Sequence, residues 1–177
     1  MTKYSLSAIK YFLLFAFVLT GMAGGRSASV VHAKNVEASF RLYERMIDGL
    51  DGKKRNLSSW HGKIIIANFW ASWCAPCQYE IPRFMKWQHK YGSKGLQVVG
   101  IGLDDVKKLK NVARSLSIDY PLLVMSLDKG RPLLNEFGNK EMIIPFTLVF
   151  NRDGTIAWKH KGLLGQDEFD IMIAPLL

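Results

Sequence analysis

Ile64-Ile65-Ile66-Ala67-Asn68-Phe69-Trp70-Ala71-Ser72-Trp73-Cys74-Ala75-Pro76-Cys77-Gln78-Tyr79-Glu80-Ile81-Pro82 is the stretch whose reading decides the fold. Its first third, Ile64 to Trp70, is an apolar run rich in β-branched and aromatic side chains, which predicts a buried strand. Its last third opens an amphipathic helix. Ile81, Phe84, Met85 and Gln88 fall at i, i+3, i+4 and i+7, and the helix is predicted to stop at His89 or Lys90, ahead of Gly92. Pro82 removes one backbone donor and predicts a kink. Cys74 and Cys77, at the junction, are the only cysteines of the 177-residue chain. Two thiols three residues apart at a helix start can close a small ring and reopen it. So short a ring constrains the unfolded chain little, which argues against a purely stabilising disulfide.

Downstream, Leu96 to Leu103 reads as a second buried strand, and Asp104 or Asp105 as the cap of a helix reaching Leu116. Tyr120 to Leu127 reads as a short strand and Arg131 to Phe137 as a short helix. Ile143 to Phe150 is an apolar strand opened by Pro145. Asn151 to Gly154 is a hairpin turn, Thr155 to His160 the returning strand, and Asp167 to Leu176 a closing helix. Upstream, Phe40 and Leu42 read as one edge of a strand. Asp51-Gly52 marks a turn, and Arg55-Asn56-Leu57 returns antiparallel. Met46 to Leu50 gives no regular pattern. The order, strand–helix–strand–helix–hairpin–helix with one hairpin prefixed, predicts an α/β sandwich with a mixed sheet.

The Trp-Cys-x-Pro-Cys motif after a Phe-Trp-Ala strand end resembles the thioredoxin superfamily. Glu80 and Pro82 make it resemble the exported TlpA/ResA branch, near the cytochrome c maturation thioredoxins. A bare Cys-x-x-Cys is a weak signal; one at a strand-to-helix junction with its flanks intact is strong. The resemblance covers residues 36–177 and implies a thioredoxin-like α/β/α sandwich with an N-terminal β-hairpin extension.

At the helix N-terminus, unpaired backbone N–H groups and the helix dipole favour a Cys74 thiolate. Cys74 is therefore assigned as attacking nucleophile and Cys77 as the thiol that resolves the mixed disulfide, roles the resemblance supports. Ala75 and Pro76 between them tune the redox potential; the resemblance to branches carrying x-Pro there implies a reductant. Pro145 fits a trans proline opening an edge strand as well as a cis one. The resemblance implies cis, which exposes the backbone of Ile144 to an extended substrate segment. Glu80, three residues past Cys77, fits a solvated helix carboxylate as well as a half-buried base beside a thiol. The resemblance places it near the active site. Asn68 stands where many cytosolic thioredoxins carry a buried aspartate and cannot act as a base, so Glu80 is the candidate for the Cys77 proton. Trp73 is expected to shield the disulfide and face substrate, Phe69 and Trp70 to be core, and Tyr79 fits either role. The segment Phe137 to Pro145 is about two residues longer than the family's usual path to its proline.

No metal is expected. A zinc site takes about four ligands, no other cysteine exists, and His61, His89 and His160 lack ligand spacing. The expected redox group is the Cys74–Cys77 pair itself, with no other cofactor. The absence of a separate peroxidatic cysteine disfavours a peroxidase. Two rival functions fit the thiols: a disulfide-donating oxidant, and a metal- or haem-handling chaperone using them as ligands.

The first segment reads differently. Lys3 and Lys10 precede an apolar run from Tyr11 to Leu19, small residues follow to Gly25, and no carboxylate appears before Glu37. Residues 1–33 are expected to be a removed signal or a retained membrane anchor. The run is shorter than the ~20 residues of a comfortable span, and Ala23, Ala28 and Ala33 all suit cleavage. Either fate sends the rest of the chain to the periplasm or an extracytoplasmic space. The net charge of +9 is spread without a dense basic block, and no nucleic-acid motif appears. Expected partners are disulfides of exported proteins, with apocytochrome c the substrate implied by the resemblance, and a membrane thiol-electron donor of DsbD/CcdA type.

Overall fold

The structure, a computed structural model, describes residues 37–177. The expected signal or anchor lies outside these residues. Helix α1 runs over residues 37–43. It is followed by β1 (Ile47–Gly49), β2 (Lys54–Arg55), β3 (Ile64–Trp70), α2 (Ala75–Tyr91), β4 (Leu96–Gly102), α3 (Val106–Ser115), β5 (Leu122–Val124), α4 (Leu127–Glu136), β6 (Phe146–Phe150) and β7 (Ile156–Lys161). The chain closes with helical turns from Gln166 to Leu176, α then π then 3-10 in character. The seven strands form one sheet in the order β2-β1-β5-β4-β3-β6-β7. β3 is parallel to β4 and β4 to β5, while β6 is antiparallel to β3.

The alternation of β3 builds the layers. Ile65, Ala67 and Phe69 point to one face, where they pack with Leu42 of α1 and Leu133 and Leu134 of α4. Ile64, Ile66 and Trp70 point to the other, against Ile81, Phe84 and Trp87 of α2 and Leu109 of α3. Both faces are covered, which is why β3 and β4 are buried along their whole length. Phe169 of the last helix stacks on Trp87 at 4.2 Å between ring centroids. The fold is the thioredoxin-like α/β sandwich with a mixed sheet.

Several boundaries differ from expectation. Phe40 and Leu42 lie on a helix, not a strand. Two residues apart, they would share one face of a strand, yet Leu42 is buried and Phe40 exposed; the buried set Ala38, Ser39, Leu42 and Tyr43 follows a helical spacing. Strand β1 occupies the stretch that lacked a pattern, too short for alternation to register. Its Asp48 and Gly49 pair with Val124 and Leu123 of β5, and its other edge takes β2. Helix α4 starts four residues before Arg131. A Cβ at Gly130 would lie 2.6 Å from Leu103 Cδ2, so the glycine lets α4 approach the chain just past the end of β4. Asp105 sits at the N-cap of α3 as expected, although its side chain makes no cap bond. Helix α2 runs unbroken through Pro82 to Tyr91.

Gly100, in the centre of β4, marks a second close approach. A Cβ there would lie 2.6 Å from Leu122 Cδ2 and 3.1 Å from the indole Nε1 of Trp70. Gly100→Ala is expected to destabilise the fold by about 1–3 kcal/mol through overpacking, read as a lower urea midpoint. An unchanged midpoint would mean that Leu122 swings aside freely.

Candidate active site

Strand β3 ends at Trp70, and three residues later the chain enters α2 with Cys74 as its N-cap. Cys74 and Cys77 are joined by a disulfide. Cys74 is 4 % exposed and Cys77 fully buried. The Cys77 N–H donates to Cys74 Sγ at 3.2 Å, so the sulfur occupies the position of a capping oxygen over the unpaired amides of the first turn. Gln78 Nε2 donates to Ser72 O at 2.6 Å and fixes the turn that leads into the helix. Ala75 and Pro76 lie on the exposed side of the motif.

The Ile144–Pro145 peptide bond is cis, and Ile144 O lies 3.8 Å from Cys74 Sγ. The backbone on either side of Ile144 is already committed. Asn139, fully buried, donates from Nδ2 to Ile143 O at 2.7 Å and accepts from Ile143 N at 3.0 Å. Pro145 O accepts from Gly162 N at 2.8 Å. Ile144 is left as the residue whose main chain faces the disulfide without a backbone partner. Trp73, next to Cys74, and Ile143, next to Ile144, are exposed apolar side chains, and Tyr79 and Leu163 are exposed as well. Phe69 and Trp70 are core.

Glu80 is the buried charge of the site. Strand parity turns Asn68 toward α2, and Asn68 Nδ2 donates to Glu80 Oε1 at 2.8 Å and to Thr147 Oγ1 at 3.1 Å. The Leu164 N–H donates to Glu80 Oε2 at 2.9 Å. Burial pushes the carboxyl up to about 7, against the two hydrogen bonds and the Arg83 charge, which favour the anion. Glu80 is therefore fully buried rather than half-buried, and it is poised to hold or release a proton near neutrality. Cys77, one turn earlier on the same helix, shares the buried face of α2.

Asn139, Leu164 and Arg83 escape a reading of the sequence. Asn139 brackets the backbone of Ile143 four residues on, while Leu164 and Arg83 act through main-chain contacts between α2 and the loop after β7, and none belongs to a motif. The three histidines among the described residues have separate partners. His61 Nδ1 meets the Tyr43 hydroxyl, His89 pairs with Asp119, and His160 Nε2 bonds Leu163 O. Among the described residues no group of three metal-ligating side chains occurs, and no helix is long and apolar enough to cross a membrane. A cleft of about 1050 Å³ runs between α3 and the β1–β2 hairpin, lined by none of the residues of this site.

A strand-to-helix disulfide facing a cis proline defines a thioredoxin-like protein. Residues 32–159 match the AhpC/TSA family, and the chain belongs to it. It is 28% identical over 118 residues to the thiol-disulfide oxidoreductase ResA of Bacillus thuringiensis, covering 66% of this chain and 65% of that one. It thus spans about 65% of the length of such relatives. It is 30% identical over 121 residues to the thioredoxin-like protein YneN of Bacillus subtilis, covering 68% of this chain and 69% of that one. Among solved structures, a thiol:disulfide interchange protein of the thioredoxin family from Chlorobium tepidum superposes with a TM-score of 0.62 at 28% identity, over 75% of this chain and 92% of that one.

Glu80 links protonation to stability. Its folded value of about 7 lies above the unfolded carboxyl range, so the native state binds the proton more tightly. That stability is fully present below about pH 4.5 and is lost as pH rises to about 7, a change of about 2–4 kcal/mol. Denaturant unfolding of the oxidised protein at about pH 5 and about pH 8 is expected to show this loss, and Glu80→Gln to remove the pH-dependent difference. A wild-type difference no larger than that of Glu80→Gln would mean that Glu80 does not titrate in this window.

Proposed function

We propose that the chain is an exported thiol-disulfide oxidoreductase that reduces disulfides of exported proteins. The observation that carries this is the Cys74–Cys77 disulfide at the start of α2, with Cys74 Sγ 3.8 Å from the main-chain oxygen of Ile144, which has no backbone partner among the described residues. The resemblance to proteins named thiol-disulfide oxidoreductases supports it. In the reduced protein, the Cys74 thiolate attacks one sulfur of a substrate disulfide. A mixed disulfide forms and the other substrate sulfur leaves as thiolate. Cys77 then loses its proton to Glu80 and attacks Cys74 Sγ. The Cys74–Cys77 bond closes, the substrate leaves with both sulfurs reduced, and the proton held by Glu80 passes to the departing thiolate. Two electrons move from the Cys74/Cys77 pair to the substrate, with no cofactor beyond that pair.

Trp73 and the main chain at Ile144 and Pro145 hold the substrate segment as an added strand beside the disulfide. Ala75 and Pro76 set the potential. The charge layout of residues 1–33 supports export, by a removed signal or a retained anchor. A membrane thiol-electron donor of DsbD/CcdA type would return the pair to its reduced form. Apocytochrome c, whose haem-attachment thiols must be reduced, is the proposed substrate class.

Cys77→Ala is expected to retain partner proteins on Cys74 as mixed disulfides that reductant releases, and Cys74→Ala to retain none. The reduction potential gives the direction. A value below about −200 mV supports the reductant, and one near about −120 mV assigns a disulfide donor instead. Stoichiometric zinc or copper binding without disulfide exchange would assign a metal-handling chaperone.

A further inference from the structure

Arg83 is one turn past Glu80 on α2 and partly buried. Among the described residues it forms no ion pair. Its Nη1 instead donates to Leu164 O at 2.6 Å, in the loop after β7. The N–H of the same Leu164 donates to Glu80 Oε2 at 2.9 Å. One loop residue is thus gripped at both ends by α2, its carbonyl by a guanidinium and its amide by a carboxylate. The loop is also tied to the substrate side, because Gly162 N donates to Pro145 O at 2.8 Å. Leu164 itself is fully buried and packs in the same cluster as Cys74 and Cys77.

A loop amide gives a carboxylate a strong hydrogen bond only while the loop holds still, and a glycine on each side of the Leu163-Leu164 pair leaves this segment little rigidity of its own. We infer that Arg83 is a positioning residue for Glu80, holding the Leu164 amide on the carboxylate and so fixing the proton affinity with which Glu80 serves Cys77. This last step rests on the disulfide-exchange function proposed above.

The polar and titratable groups around Glu80 come from every neighbouring element. They are Asn68 from β3, Thr147 from β6 through Asn68, Leu164 from the loop, Tyr120 ahead of β5, and Arg83 with the cysteine pair on α2. Burial pushes the Tyr120 hydroxyl up, so it stays neutral across the working range. In the oxidised protein the cysteines do not titrate, which leaves Glu80 as the group that changes charge near neutrality, with Arg83 as the fixed charge beside it.

The test follows two signals in oxidised full-length protein: hydrogen exchange of the Leu164 amide, and the pH titration of the Glu80 carboxyl carbon by NMR. Arg83→Met is expected to speed Leu164 exchange about tenfold and to move the Glu80 midpoint up by about one pH unit. Arg83→Lys keeps a donor and a charge and is expected to restore most of both. Unchanged signals in Arg83→Met overturn the proposal. So does a moved midpoint with unchanged Leu164 exchange, because Arg83 would then act by charge alone. Should Arg83→Met fail to fold, Arg83→Gln replaces it and is judged by the same two signals. If the wild-type protein exchanges no disulfides, the functional proposal fails on that result, while these two signals still decide the role of Arg83.

Discussion

A single backbone contact sets the chemistry of this molecule: the Cys77 amide reaching back to Cys74 Sγ at 3.2 Å. It exists because β3 stops at Trp70 and α2 begins after Cys74, so the sulfur falls where a helix leaves its first amides unpaired. Those amides and the helix dipole act on a sulfur anion as on any anion at a helix start. Everything else in the site takes its position from this junction. The cis Pro145 segment packs against Cys74, and the loop after β7 packs against Glu80, one turn further along the same helix.

The second constraint is the burial of Glu80. A carboxylate away from water is unfavourable unless donors surround it, and the fold supplies two, one from β3 and one from the loop after β7. They do not fully offset the burial, and the carboxyl stays protonated up to about 7. That is a poor arrangement for stability at neutral pH, and it is the arrangement the proposed proton transfer from Cys77 calls for. Asn68 contributes only hydrogen bonds here; its carbonyl oxygen is buried without a partner. The buried carboxylate beside β3 comes from α2, with Asn68 of the strand as its hydrogen-bond donor.

Much of this was legible in the sequence. β3 and α2 were readable because long periodic runs outvote local noise, and the cysteine pair because its flanks place it at a junction. The cis peptide at Pro145 followed only from the family resemblance, since the residues alone suit both isomers. Phe40 and Leu42 misled because two apolar residues fit a strand edge as readily as a helix face. β1 was invisible because a strand of three residues carries no period; its identity comes from pairing with β5. The full burial of Glu80 and the grip of Arg83 on Leu164 depend on how distant segments pack, which spacing along the chain does not encode, and the clamp of Asn139 on Ile143 depends on the path of an irregular loop that has no period.

Above all, the N-terminus of α2 is held to keep the sulfur of Cys74 as an anion in the reduced protein. Following the ultraviolet absorbance of the thiolate in the reduced protein as pH is raised, with Cys77→Ala to assign the first transition, measures this directly. The account predicts that Cys74 deprotonates well below the value of about 8.5 of a free cysteine. A Cys74 that titrates at about 8.5 would contradict it.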